Sequence, residues 1–569
     1  MSLVTPGNSP TTGQSFCSII IPVFNGLDYT RRCISALIEQ PCDTPFELIV
    51  VDNGSTDGVE VWLETIKDQI TLIQPRQNIG FARANNLAAK SAKGEFLLLL
   101  NNDTLPIAGW LDRMVETMRS DDRIGIVGAK LLFPQTRLIQ HAGVAIEPPL
   151  AVMHVYENFP EDHPAASRRR DFQAVTAACM LVRTELYTSL SGFDEQFVNG
   201  FEDLDFCFRV GEQGFRVVYE PTAVLLHFAG MSSGRHDHEI ENGRLIFKRW
   251  KDRIQPDVER IVSEDGFEFV QTGDAAIVRP RGINLPEELA VARKKLQEGK
   301  IVEAEQLFRR LYHLAPHSHE VIGYLERILM RQGAYDEAWI MGQRLAHFKP
   351  EANSLLRLAE CALKRGAFDL ARRYADGTLE MIEPDDHRIA EALAISGDAA
   401  FKAGDLPLAK STYLKGLAAD SHSARCLIGV GAIALTEQNP IEARAHFASA
   451  AAHAPHSARA QLGYGLALES LGDTESALKS YRMAVECDSD NSAAMLSAVR
   501  LLTALGRVDE AALLSGKYLS RWPDDADAIA AQADVMLAAK DWDGASRAAK
   551  KLQNYAPNHP KLAEINARL

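Results

Sequence analysis

Hydrophobic positions in the first half of the chain follow two alternating patterns. CSIIIPVF (17–24), FELIVVDNGS (46–55), ITLIQP (70–75) and GEFLLLLNND (94–103) are short apolar runs that close on polar residues, as buried strands do. Between them, LDYTRRCISALIEQ (27–40), VEVWLETI (59–66) and FARANNLAAKSA (81–92) place apolar residues at helical spacing. Strands alternating with helices at this pace predict an α/β domain with a largely parallel sheet covered by helices. Ligands of such sheets collect at the carboxyl ends of the strands. Those ends carry PVFN, VDNGSTD and LNND, which brings Asn25, Asp52, Asn53, Asn102 and Asp103 to the mouth of the sheet.

From Pro286 onward strand patterns vanish, and alanine-rich helices alternate with short Gly, Asp or Pro turns. An alanine follows a polar turn at Ala304, Ala338, Ala371, Ala409, Ala443, Ala477, Ala511 and Ala545, at successive spacings of 34, 33, 38, 34, 34, 34 and 34. Twelve or thirteen residues further on stand Pro316, Pro350, Pro384, Pro455, Pro523 and Pro557. Gly397, Gly431 and Gly465 lie twelve before the alanine, and Phe308, Tyr413, Phe447 and Tyr481 four after it. Small residues let two antiparallel helices approach, the aromatic fills their seam, and proline ends the second helix. The set resembles the tetratricopeptide repeat, in about eight copies over 286–569, with HPKLAEINARL as a polar capping helix. The resemblance implies a superhelical solenoid whose concave groove suits a polypeptide.

Composition narrows the function. At ~150 residues per domain, 569 residues fit about four units, or fewer when one is a repeat array. A net charge of −15 argues against a protein that coats nucleic acid, yet permits a local pocket for an anionic small molecule. The most apolar stretches, SIII (18–21) and FLLLL (96–100), fall far short of the ~20 residues of a spanning helix. Residues 1–15 are polar and turn-forming, and read as a disordered N-terminus with no secretory signal. Eight cysteines without a CxxC pair predict buried free thiols in a reducing, cytoplasmic setting.

Four features can carry chemistry. Asp52, at a strand end before Asn53 and Gly54, can accept hydrogen bonds from a base or ribose, and the same pattern describes a plain turn. Asp103 closes LLLLNND, where an exposed acid suits a divalent cation or caps the helix that follows. GFEDLDFCFRV (200–210) packs Glu202, Asp203 and Asp205 among aromatics, which suits a general base or an acid-rich helix start. His227 ends the strand-like VVYEPTAVLLHFAG, as a ligand or a structural histidine.

In order, PVFN, VDNGSTD, NIGFARANN, LLLLNND, a GFDEQF–GFEDLDFCFR block and LLHFAG resemble the family 2 glycosyltransferases over residues 16–255. The likeness is to the bacterial rhamnosyl and galactofuranosyl transferase branch. It implies the nucleotide-sugar-binding GT-A fold and an inverting, metal-assisted transfer from a nucleotide-diphosphate sugar of UDP or dTDP type. Carried over by residue, Pro22 and Phe24 line the base pocket beside Asn25, and Asp52 and Asn53 bind base or ribose. Asn78, Gly80, Phe81 and Arg83 stand by the nucleotide and phosphates with Asn102. Asp103 takes the last place of the Asp-x-Asp metal motif, Asp203 that of the general base with Glu202 beside it, and His227 completes the shell of a Mn²⁺ or Mg²⁺ ion. The first acid of that motif is Asn101 here, which removes one negative charge from the site.

Three further segments each admit two readings. Arg168, Arg169 and Arg170 read as an anion contact or a solvated loop, and His236 and His238 as part of a lid or a charged helix start. Segment 256–285 reads as a linker or a small packed strand pair. Together these features predict a cytoplasmic glycosyltransferase whose repeat groove holds a protein acceptor. A lipid-linked or polysaccharide acceptor and an inactive scaffold are the alternatives, and solenoid ends leave room for homo-oligomers.

Overall fold

The computed structural model describes residues 16–228, 238–272 and 275–569. Residues 1–15, expected to be disordered, and His236 lie outside the described residues. In chain order the α/β part contains β1 (Cys17–Val23), β2 (Phe46–Asp52), β3 (Thr71–Ile73), β4 (Phe96–Leu100), β5 (Thr104–Pro106) and β6 (Ile124–Leu132). It continues with β7 (Ile139–His141), β8 (Val144–Glu147), β9 (Ala151–His154), β10 (Arg170–Phe172), β11 (Cys179–Arg183) and β12 (Arg216–His227). Ten of these form one sheet in the order β10-β12-β6-β11-β4-β1-β2-β3, with β5 on β12 and β7 on β6, while β8 and β9 pair separately.

Strands β3, β2, β1 and β4 are parallel, as the alternation predicts. Beyond β4 the prediction needs correction. Strand β11 runs antiparallel to both β4 and β6, so the sheet is mixed. A parallel neighbour requires a crossover that returns the chain to the end where it started. The chain between β6 and β11 makes hairpins instead, through β7 on β6 and β8 on β9.

The leucine run of β4 is apolar at every position because both faces of the sheet are covered. Phe96, Leu98 and Leu100 join a core with Cys33, Leu63 and Met114, and Leu97 and Leu99 join a second core with Ala84, Tyr187 and Phe206. Each such side chain, removed from water, contributes roughly 2 kcal/mol. The cores anchor the strands, so the polar residues at their ends are held at fixed positions.

From Leu285 the chain is helical to Arg568. All eight marker alanines are fully buried. Tyr413 fills the space left by Gly397 and Gly429, and Phe447 that left by Gly431 and Gly463, so a methyl group at any of these glycines would overlap a ring. Four of the turn residues are helix caps: Asp405, Asn439, Asp473 and Asp541 accept from the N–H of Leu408, Glu442, Ser476 and Gly544 at 3.0, 3.3, 3.2 and 2.8 Å. Such caps contribute ~1 kcal/mol each.

Contacts divide the chain into two compact units, Met1–Gln332 with Gln343–Phe348, and Gly333–Gly342 with Lys349–Leu569. The first helices of the array, Leu285–Gln297, Ile301–Leu314 and His319–Gln332, therefore group with the sheet. Within that unit His163 Nε2 donates to the His313 carbonyl at 2.8 Å, and Arg344 donates to the Thr136 carbonyl and the Tyr312 hydroxyl at 3.2 and 2.5 Å. Segment 256–285 is a packed element there, a helix Val258–Ser263 followed by a hairpin of Phe267–Thr272 with Ala275–Pro280. Phe267 lies in a buried cluster with Tyr156 and Phe159.

Candidate active site

Where β1 leaves the sheet, Asn25 and Gly26 turn the chain at φ 59° and 80°. Asn25 Oδ1 accepts from the Thr56 N–H at 2.8 Å, and its own N–H donates to Ser55 Oγ at 2.9 Å. At the end of β2, buried Asp52 accepts from the Ser55 N–H at 3.0 Å. Asn53 Nδ2 donates to Asn78 Oδ1 and its Oδ1 accepts from the Ile79 N–H, both at 2.8 Å, and Asn78 Oδ1 also accepts from the Gly80 N–H at 2.9 Å. These bonds join three loops into one polar rim. Pro22 is buried within β1, Phe24 is exposed beside the rim, and Gly80 opens the helix Phe81–Ala89. Arg83 on that helix forms an exposed ion pair with Glu195 at 3.2 Å.

The LNND segment joins this rim from β4. Asn102 Nδ2 donates to Thr30 Oγ1 at 2.8 Å and to the Asn25 carbonyl at 3.3 Å, tying the ends of β4 and β1 together. Asp103 is no helix cap, because β5 follows it and the next helix, Trp110–Arg119, starts after Gly109. Strand β5 pairs with the end of β12, with Thr104 opposite His227, and the Phe228 N–H donates to the Asp103 carbonyl at 2.9 Å. That pairing brings His227 Nε2 to 3.1 Å from Asp103 Oδ1 and 3.4 Å from Asn101 Nδ2.

Among the described residues, no cluster of three His, Cys, Asp or Glu side chains stands ready for a metal. The donors at the sheet mouth are one carboxylate, one imidazole and the neighbouring amide of Asn101. Two ligands at ~2.1 Å from one ion and at right angles are about 3 Å apart. The Asp103–His227 spacing therefore fits a divalent cation, with Asn101 supplying an amide oxygen when its side chain is turned.

The three acids of the GFEDLDF block have separate surroundings. Asp203 Oδ2 accepts from the Ala177 N–H at 3.0 Å, and the adjoining Ala178 carbonyl accepts from the Asn101 N–H at 3.1 Å. Asp203 thus hangs beside the LNND segment. Glu202 is buried, with its carboxylate on the Gly200 N–H at 2.7 Å. Asp205 is fully buried and bound by Arg209, Arg249 and Trp250 Nε1 at 2.8, 2.6 and 3.0 Å, a structural role. Asn199 and Phe201 precede the helix Glu202–Glu212 at φ 53° and 70°, a strained approach of the kind that collects at functional sites.

The arginine run is engaged in ion pairs, with Arg168 and Arg169 still open to solvent and Arg170 largely covered. Arg168 and Arg170 both bind Asp265, and Arg169 binds Glu220 at 2.6 Å. His238 immediately precedes the helix Glu239–Trp250. Sequence reading missed Gln140, whose Oε1 lies 2.5 Å from His227 Nδ1. It sits in a three-residue strand too short to show periodicity.

In the second unit, Arg425 bridges Glu360 and Asp398, both at 2.8 Å, and Tyr413 donates to Asp398 at 2.6 Å. Glu360, Asp398 and Arg425 border a cavity of about 570 Å³ that Lys364, Lys402 and Arg459 also line. Among the described residues all eight cysteines are free, and no helix is long and apolar enough to cross a membrane.

The chain combines a mixed-sheet α/β part, with carboxylates, amides and an imidazole at the sheet mouth, and a run of helices that follows it. Residues 18–188 match the family model "Glycosyl transferase family 2" and residues 431–492 match "Tetratricopeptide repeat". The chain thus carries a family 2 glycosyltransferase domain and a tetratricopeptide array. "Uncharacterized protein y4gI" of Sinorhizobium fredii is 31% identical over 258 residues, covering 42% of this chain and 28% of that protein. "O-antigen biosynthesis protein RfbC" of Myxococcus xanthus is 34% identical over 235 residues, covering 39% and 18%. The "N-acetylglucosaminyl-diphospho-decaprenol L-rhamnosyltransferase" of Mycobacterium tuberculosis is 24% identical over 214 residues, covering 34% and 70%. The matched region thus spans only 28% and 18% of the first two relatives.

Proposed function

We propose that this protein is an inverting glycosyltransferase that moves a sugar from a UDP- or dTDP-type donor to a hydroxyl of a protein held by the repeat array. The observation that carries the reading is the convergence of Asp103, His227 and Asp203 on the sheet mouth, next to the rim of Asp52, Asn53, Asn25 and Asn78. In this reading the rim and Phe24 bind the nucleoside, and Phe81 and Gly80 border the phosphates. Asp203 takes the proton of the acceptor hydroxyl as its oxygen bonds to the anomeric carbon and the carbon–oxygen bond to the diphosphate breaks. A Mn²⁺ or Mg²⁺ ion on Asp103 and His227 supplies positive charge where the diphosphate departs. Buried Glu202 holds the strained turn that presents Asp203. Arg83, paired with Glu195, adds positive charge at the rim only when that pair opens.

Calorimetric titration with UDP, dTDP and GDP, with and without Mn²⁺, tests the donor side. Metal-dependent binding of one nucleotide is the expected result, and a folded protein that binds none of them would leave the scaffold reading in its place. For the acceptor side, the 570 Å³ cavity offers Lys402 and Arg459, which have no acidic partner among the described residues. The double change Lys402→Glu with Arg459→Glu is expected to raise the KM for a protein acceptor at least tenfold and leave nucleotide affinity unchanged.

A lipid-linked or polysaccharide acceptor is the second reading. It is favoured by the names of two relatives, an O-antigen biosynthesis protein and a diphospho-decaprenol rhamnosyltransferase. Transfer to a polyprenyl-diphosphate sugar that ignores the double change supports it over the first.

A further inference from the structure

Gln140 takes no part in the roles assigned above, yet its contacts decide the state of His227. It lies on β7, where Ile139 faces Leu132 and His141 faces Leu131, so Gln140 is the extra residue of a β-bulge. Bulges re-aim a side chain out of the regular alternation. The neighbours Ile139 and His141 are buried, and Gln140 is directed to His227 at two points. Its Nε2 donates to the His227 carbonyl at 3.4 Å, and its Oε1 lies 2.5 Å from Nδ1.

These two contacts fix one another. A backbone carbonyl only accepts, so the amide must present Nε2 to it, and Oε1 then faces the imidazole. An amide oxygen also only accepts, so His227 must carry its proton on Nδ1. In the neutral ring, the form that can ligate a metal, the lone pair is then left on Nε2, the atom that faces Asp103 Oδ1 at 3.1 Å and lies 3.4 Å from Asn101 Nδ2. Two electron-rich atoms then oppose each other at the spacing of adjacent metal ligands. We infer that Gln140 is a positioning residue that locks His227 in the Nδ1–H tautomer and orients its Nε2 lone pair, with Asp103, toward a divalent cation.

The inference rests on the metal reading of Asp103 and His227, and Mn²⁺ binding to the full-length protein, followed by the electron spin resonance of free Mn²⁺, separates the two. Gln140→Leu should weaken Mn²⁺ binding about 10- to 100-fold, as loss of a partner to a ligating histidine does. Gln140→Glu keeps an acceptor for Nδ1–H and should retain affinity within about threefold of the unchanged protein. In a His227→Ala background, Gln140→Leu should cause no further loss, because its effect passes through that ring. A merely structural role would persist in that background. Gln140→Leu binding Mn²⁺ as tightly as the unchanged protein would overturn the inference alone, as would a tenfold loss in Gln140→Glu. The latter outcome decides the matter if the leucine variant fails to fold. An unchanged protein with no affinity for Mn²⁺ would overturn the metal reading and the inference together.

Discussion

Asp203 and Asp205 stand two residues apart among the same aromatics, and their surroundings differ. Two guanidinium groups and an indole N–H hold Asp205, whereas Asp203 receives backbone N–H groups beside LNND. Asp203→Asn keeps the shape and the acceptor oxygen but cannot take a proton. Its kcat should fall about 100- to 10,000-fold with nucleotide affinity within about twofold, measured by steady-state kinetics and calorimetry. Asp205→Asn leaves Arg209 and Arg249 without their shared charge in a buried site, so its loss should appear as lowered thermal stability, on the order of 3 kcal/mol. The motif order made the candidate acids legible. The difference in their surroundings was not, because it depends on Arg249 and Trp250, more than forty residues away along the chain.

At the scale of elements, the repeat array shows how a glycine can be required inside a helix. Alanine is intrinsically favoured over glycine there by ~1 kcal/mol, so Gly→Ala should stabilise wherever space allows. Gly516, in the helix Val508–Arg521, has nothing within 4 Å of the point where an added methyl group would stand, and Gly516→Ala should gain about 0.5–1 kcal/mol. Gly463 abuts the Phe447 ring, and Gly463→Ala should lose about 1–3 kcal/mol through overpacking. Thermal melts of the two variants should therefore shift in opposite directions, and Phe447→Leu should relieve the loss at Gly463. The 34-residue register was plain in the sequence because every copy repeats the same local packing. The reversal at β11 was not, since its direction depends on which hairpins precede it.

Across the larger unit, helix Ile301–Leu314 is joined to the α/β part by a histidine. His163 is buried, donates from Nε2 to the His313 carbonyl and accepts from the Ala165 N–H at Nδ1, contacts that use both nitrogens of the neutral ring. Burial lowers its pKa below the ordinary 6.5, and buried His141 shifts the same way. Below pH 6.5 the unfolded chain binds protons at these rings that the folded chain refuses. Stability is therefore fully present above that pH and declines as the pH falls toward the folded values, by at most ~1.4 kcal/mol per pH unit for each ring. His163→Gln removes one titrating ring, and denaturant unfolding between pH 7.5 and 5 should show a shallower decline.

What the sequence determined by itself was everything carried by local repetition or by a fixed order of short motifs: the β/α alternation, the helical array with its buried alanines, and the residues at the strand ends. Periodicity reports which face of an element is covered, and it does so without knowledge of the partner. The tertiary structure decided what depends on partners distant in the chain. It paired β5 with β12 to set Asp103 against His227, bulged β7 to deliver Gln140, consumed the arginine run in ion pairs with Asp265 and Glu220, and grouped the first array helices with the sheet. Each of these is a choice among chemically equal neighbours, and only the packing of the whole chain makes them unequal.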